Sequence, residues 1–63
     1  MSKSDEELDR YIELRPIGSG RWSWRVSVPN KGYKNCEEWA PTRAVALEEA
    51  RDAVRQILAE SRN

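Results

Sequence analysis

Residues 21–28, Arg-Trp-Ser-Trp-Arg-Val-Ser-Val, alternate without a break, and no other stretch of the chain constrains the fold as strongly. Trp22, Trp24, Val26 and Val28 fall on one side; Arg21, Ser23, Arg25 and Ser27 fall on the other. A period of two is that of a β-strand, whose successive side chains point to opposite faces, and aromatic and β-branched residues suit a half-buried pleated surface. Two of the three tryptophans therefore share the face that floors the core. The opposite face, with two arginines and two hydroxyls, is predicted to stay open.

The flanking segments supply partners for this strand. Residues 11–15 alternate Ile12 and Leu14 against Tyr11, Glu13 and Arg15, which predicts a short first strand. Pro16 has no N–H for a ladder and is expected to end it, with Gly18-Ser19-Gly20 making the reversal. Pro29-Asn30-Lys31-Gly32 reads as a second turn, since proline sets φ and Asn and Gly tolerate left-handed geometry. Residues 33–39 then form a third strand, but Tyr33, Cys36 and Trp39 share no single period. Its register stays open, and a bulge would accommodate it.

Pro41-Thr42 marks a helix start with Thr42 as the N-cap. From residue 43 to about residue 61, Leu47, Ala50, Val54, Ile57 and Leu58 make one apolar stripe, supported by Ala46 and Ala53. Glu48 with Arg51 and Asp52 with Arg55 are favourable pairs three apart on the polar side. The predicted architecture is α+β: a three-stranded antiparallel meander packed on one C-terminal helix, β-β-β-α, over residues 11–61. Trp22 and Trp24 are expected to be buried against Leu47, Val54 and Ile57. Residues 1–10 read as a flexible acidic tail, in which Ser4-x-x-Glu7 has the spacing of a capping box for a single helical turn.

Several function classes are excluded by what the chain lacks. Sixty-three residues make one domain with a thin core, for which a homodimer would be an extra source of burial. Cys36 is the only cysteine and there is no histidine, so neither a disulfide nor a zinc site is expected, and a reducing compartment follows. Without histidine the commonest general base is missing. Glu37 and Glu38 beside Cys36 disfavour its thiolate, so a small, partly buried strand cysteine is the better account. Gly18-Ser19-Gly20 is too short for a phosphate loop. No enzyme, cofactor, metal or small-molecule substrate is expected. No apolar run approaches the roughly 20 residues of a membrane span, and the N-terminus has no signal-peptide core, so the expectation is a cytoplasmic protein.

Eleven basic and eleven acidic residues cancel, yet the charge is segregated. Residues 1–9 set Lys3 against Asp5, Glu6, Glu7 and Asp9, a net of −3. Residues 10–35 set Arg10, Arg15, Arg21, Arg25, Lys31 and Lys34 against Glu13 alone, a net of +5. Residues 36–63 return −2. The basic part lies on the strands. Arg15, Arg21, Ser23, Arg25 and Lys34, joined by Tyr11, are therefore the candidate nucleic-acid-binding residues. A sheet can enter the major groove of duplex DNA, with arginine reaching guanine or phosphate and serine reaching backbone oxygens. Zero net charge and the acidic pair Glu37-Glu38 on the third strand weigh the other way, because phosphate neutralisation supplies much of the affinity. The alternative is a protein-interaction module, a small dimeric regulator or inhibitor without nucleic-acid binding, with Trp39 either anchoring the contact or closing the end of the core.

The run Gly20-Arg21-Trp22-x-Trp24-Arg25-Val26, followed by a turn and then Trp39-Ala40-Pro41-Thr42-Arg43-x-x-Ala46 before a helix, resembles two groups of small domains. One is the YegP-like family, which implies a small sheet-and-helix fold without an assigned activity. The other is the arm-type DNA-binding domain of phage tyrosine integrases, which implies a three-stranded sheet laid into the major groove. Glu37 and Glu38 depart from the second pattern, whose third strand is usually basic. Val26-Ser27-Val28-Pro29 and the later helix are also similar to HicB-type antitoxins, though the glycine spacing differs.

Overall fold

In the computed structural model, which describes residues 5–60, five elements follow one another: α1 (Asp5–Asp9), β1 (Ile12–Gly18), β2 (Arg21–Val28), β3 (Gly32–Asn35) and α2 (Arg43–Glu60). The strands form one antiparallel sheet in the order β1-β2-β3, and α2 lies across it. The fold is α+β, and the strand that alternates most regularly is central.

The β1–β2 hairpin closes through Ser19 and Gly20, whose φ angles are 55° and 75°. Positive φ at both central residues is the requirement of a type I′ turn, which matches the twist of the flanking strands. Pro16 does not end β1, contrary to expectation. Opposite it, Trp22 turns both backbone groups the other way: its N–H donates to the Ala40 carbonyl at 2.9 Å and its carbonyl accepts the Ala40 N–H at 2.7 Å. Pro16 therefore faces a partner that asks for no hydrogen bond, on an edge strand where proline is tolerated. The register shifts between Pro16 and Gly18, and the strand ends there.

At the second turn the Lys31 N–H donates to the Val28 carbonyl at 3.0 Å, with Asn30 at φ 66° behind Pro29. Proline followed by a positive-φ asparagine is the type II pattern. β3 is shorter than the predicted residues 33–39. The ladder continues only as far as the Cys36 N–H, which donates to the Trp24 carbonyl at 3.1 Å, and resumes at Ala40 opposite Trp22. On β2 only Ser23 lies between those two points, whereas Glu37, Glu38 and Trp39 lie between them on the other side. Three residues against one cannot stay in a ladder, so they loop out at the β3 edge as a bulge larger than the usual two against one.

Thr42 caps α2. Its Oγ1 accepts the Val45 N–H at 3.1 Å and its carbonyl accepts the Ala46 N–H at 3.0 Å. Ala46, Ala50, Ala53, Val54 and Ile57 are the buried residues of the helix, at i, i+4, i+7, i+8 and i+11. Three alanines in that stripe let the helix approach the sheet closely. Against them pack Trp24, Val26, Val28 and Ala40, with Val26 and Val54 fully buried. Large side chains buried this way stabilise the fold by about 1.5–3 kcal/mol each.

Trp24 is 8% exposed and its indole N–H donates to Glu49 Oε1 at 3.1 Å. Trp22 departs from the expectation of full burial. It is half-buried at the N-terminal end of α2, where it lines an open cleft with Ile12, Leu14 and Leu47, and the Arg43 guanidinium carbon lies 6.0 Å from its ring centre. Leu47 of α2 is itself only half-buried there, so the helix meets that corner of the sheet without closing it.

The segment expected to be a flexible acidic tail is in part folded onto the domain. Residues 5–9 form α1, Leu8 packs against the core, and the Asp9 carboxylate takes the Arg51 guanidinium in two hydrogen bonds of 2.9 and 3.0 Å. The Ser4 of the predicted capping box lies outside the described residues.

Candidate nucleic-acid interface on the open sheet face

Strand pairing decides which side chains share the face that α2 leaves uncovered. Leu14 pairs with Trp24 and Ile12 with Val26 on the helix side. The intervening pairs Glu13–Arg25, Arg15–Ser23, Arg25–Asn35 and Ser27–Tyr33 therefore point away from it. Arg21, paired with Gly18, opens the same row on β2. Arg15, Arg21 and Arg25 are exposed and Ser23 is half-buried beneath them. Four of the five predicted binding residues thus converge on one surface.

Lys34 does not join them. In register it faces Val26, so it projects toward α2, and its Nζ donates to Gln56 Oε1 at 3.2 Å. The third strand had no clear period, and a shift of one residue moves every side chain to the other face. The same register turns Tyr33 outward. Tyr11 is also removed from the surface; it is half-buried against the core, and its carbonyl accepts the Ser27 N–H at 3.1 Å.

Three residues outside the predicted set shape the face. Glu13 stands between two arginines, with Oε2 3.7 Å from Arg15 Nη2 and Oε1 3.9 Å from Arg25 Nε. Such exposed pairs contribute at most about 1 kcal/mol to stability, but they lower the positive potential of the surface. Tyr33 is 75% exposed, opposite Ser27. Trp39 is 55% exposed. Its neighbour Ala40 is buried opposite Trp22, so Trp39 turns the other way and meets Arg21, whose guanidinium carbon lies 5.6 Å from the indole centre. That distance is a cation–π contact. Tyr33 could have been found in the sequence: closing the turn with Gly32 opposite Val28 puts residue 33 on the open face and residue 34 on the helix face.

Glu37 and Glu38, which the sequence placed within a third strand, are carried off the sheet by the bulge. With Glu49 and Asp52 of α2 they line an open cleft of about 500 Å³ at the β3 edge. The open face holds Arg15 and Arg25 against Glu13, and at its other end Arg21 lines a second open cleft with Glu37, Glu38 and Trp39. Its chemistry is that of reversible recognition: guanidinium donors, two exposed rings, and the small polar groups of Ser23, Ser27 and Asn35. Cys36 is a half-buried free thiol packed against the core. Among the described residues no three His, Cys, Asp or Glu side chains are grouped to hold a metal ion, and no helix is long and apolar enough to cross a membrane. Comparison with protein-family models, curated proteins and solved structures gives no match.

Proposed function

We propose that this domain is a non-enzymatic binding module that takes nucleic acid on the open face of its sheet. The observation that carries the reading is the convergence of Arg15, Arg21 and Arg25 on one face with Ser23 of the central strand among them, while the Glu37-Glu38 pair has left the ladder and meets the face only at Arg21. Guanidinium groups on a rigid sheet suit phosphate oxygens, because each offers several donors in a fixed plane at full charge. The sheet is held from behind by the helix, so these side chains need no backbone rearrangement to bind.

The test is a titration with labelled nucleic acid across a salt series. Affinity should fall steeply with salt, and Arg15→Ala with Arg25→Ala should flatten the slope by about one unit for each phosphate that is no longer neutralised. The melting temperature should barely move, since these side chains are exposed.

A second reading, a protein-recognition face, is favoured by the position of Glu13 between Arg15 and Arg25, which brings the surface nearer charge balance. Tyr, Trp and Arg are also the residue types that dominate protein-interface energetics. Absence of nucleic-acid binding at low salt, together with a dimer in sedimentation, would select this second reading.

A further inference from the structure

We infer that the occupant of the open face is single-stranded RNA, with bases stacked on Tyr33 and Trp39 and phosphates held by Arg21 and Arg25. This rests on the nucleic-acid reading above and narrows it. The chain has five aromatic side chains, and of these Trp24 is buried in the core. A domain this small gains most from burying every ring, yet Tyr33 is left 75% exposed on the face that carries the arginines, and Trp39 55% exposed at the edge of that face beside Arg21. Exposed rings on a sheet are of little use to a protein that reads a duplex, whose bases are already stacked on each other. They suit a single strand, whose unstacked bases offer a π-face to any ring.

Charge points the same way. Three arginines, offset by Glu13 and at Arg21 by Glu37 and Glu38, make a weak match for duplex DNA, which carries one negative charge per roughly 1.7 Å of helix axis. A single strand carries fewer charges per length, and stacking supplies affinity that the thin positive field does not. Arg21 lies over the Trp39 ring, which sets a phosphate-binding cation beside a base-stacking surface. Tyr33 is opposite Ser27 and two residues from Asn35, which faces Arg25 across the ladder. A hydroxyl and an amide next to a stacking ring offer partners to the ribose 2′-hydroxyl, the group that separates RNA from DNA.

The experiment measures fluorescence anisotropy of the full chain with three labelled probes of about ten units, an oligouridine RNA, the matching oligothymidine DNA and a DNA duplex, at about 50 mM salt. The RNA should bind tightest. Tyr33→Ala should weaken it by roughly five- to a hundredfold while leaving the melting curve in place, and Tyr33→Phe should restore it. Binding of the duplex as tight as that of RNA, or no effect of Tyr33→Ala, would overturn the stacking proposal and leave the nucleic-acid reading standing. Equal binding of the DNA strand would overturn the assignment to RNA. No binding of any probe would remove both.

Discussion

Asp9 and Arg51, 42 positions apart, form a bidentate ion pair with both hydrogen bonds near 3 Å, and this pair fastens α1 to α2. The arginine holds the Asp9 carboxyl below its ordinary pKa, first through the hydrogen bond and then through its charge, against an opposing effect of burial. The folded state therefore binds the Asp9 proton more weakly than the unfolded state does. The stabilisation is complete above the unfolded pKa of about 3.8 and is lost as pH falls through the folded value. Asp9→Asn should cost about 1 kcal/mol at neutral pH, discounted because the Asp9 side chain is 38% exposed. Melting curves of both proteins from neutral pH down to about pH 2 check this, and the difference between them should shrink at the acid end.

Removing the helix cap isolates one hydrogen bond. Thr42→Ala takes away the acceptor of the Val45 N–H and should cost about 1 kcal/mol, a fall of roughly 4–8 °C in melting temperature for a domain of this size. Thr42→Ser should keep most of the stability. Neither substitution should change nucleic-acid affinity, because the Thr42 hydroxyl is engaged by the Val45 N–H of the helix.

The two tryptophans of β2 should differ sharply in cost. Trp24→Ala empties a buried site and leaves Glu49 without its indole donor, for a loss of about 3–5 kcal/mol. Trp22 is half-buried at an open cleft that water can fill, so Trp22→Ala should cost distinctly less. Urea titrations of both variants give the comparison. Equal losses would place Trp22 within the packed core.

Glu13 and Lys34 separate the face from the strands that carry it. Glu13→Gln removes the one carboxylate between Arg15 and Arg25 and should raise nucleic-acid affinity about two- to fivefold at low salt. Lys34→Ala removes a positive charge of the same basic segment, but one directed at Gln56 on the helix side. It should leave the salt slope unchanged. An affinity decrease on Lys34→Ala equal to that on Arg25→Ala would show binding driven by net charge rather than by the face.

Features set by neighbours in the chain were legible in the sequence. The strict alternation of residues 21–28 specified a strand and sorted its side chains, because a pleated backbone leaves no third direction. Thr42 marked the start of α2, and the helical period picked out Ala50, Val54 and Ile57 as buried. Arg15, Arg21, Ser23 and Arg25 could be placed on one face from the alternation of the first two strands alone.

Relations across the chain were decided only by the tertiary structure. Pro16 stays within β1 because Trp22 directs its hydrogen bonds to Ala40, a residue far along the sequence. The turn that sets Gly32 opposite Val28 starts the register of β3, but how far its ladder to β2 runs, and hence that it stops at Asn35, is decided by the assembled sheet. The bulge that takes Glu37, Glu38 and Trp39 out of the ladder arises where three residues meet one. Glu13 meets both Arg15 and Arg25, and Asp9 meets Arg51, only once the strands and helices are assembled. Local periodicity specifies direction within an element, whereas hydrogen-bond register and packing specify which elements meet, and the composition of the open face depends on both.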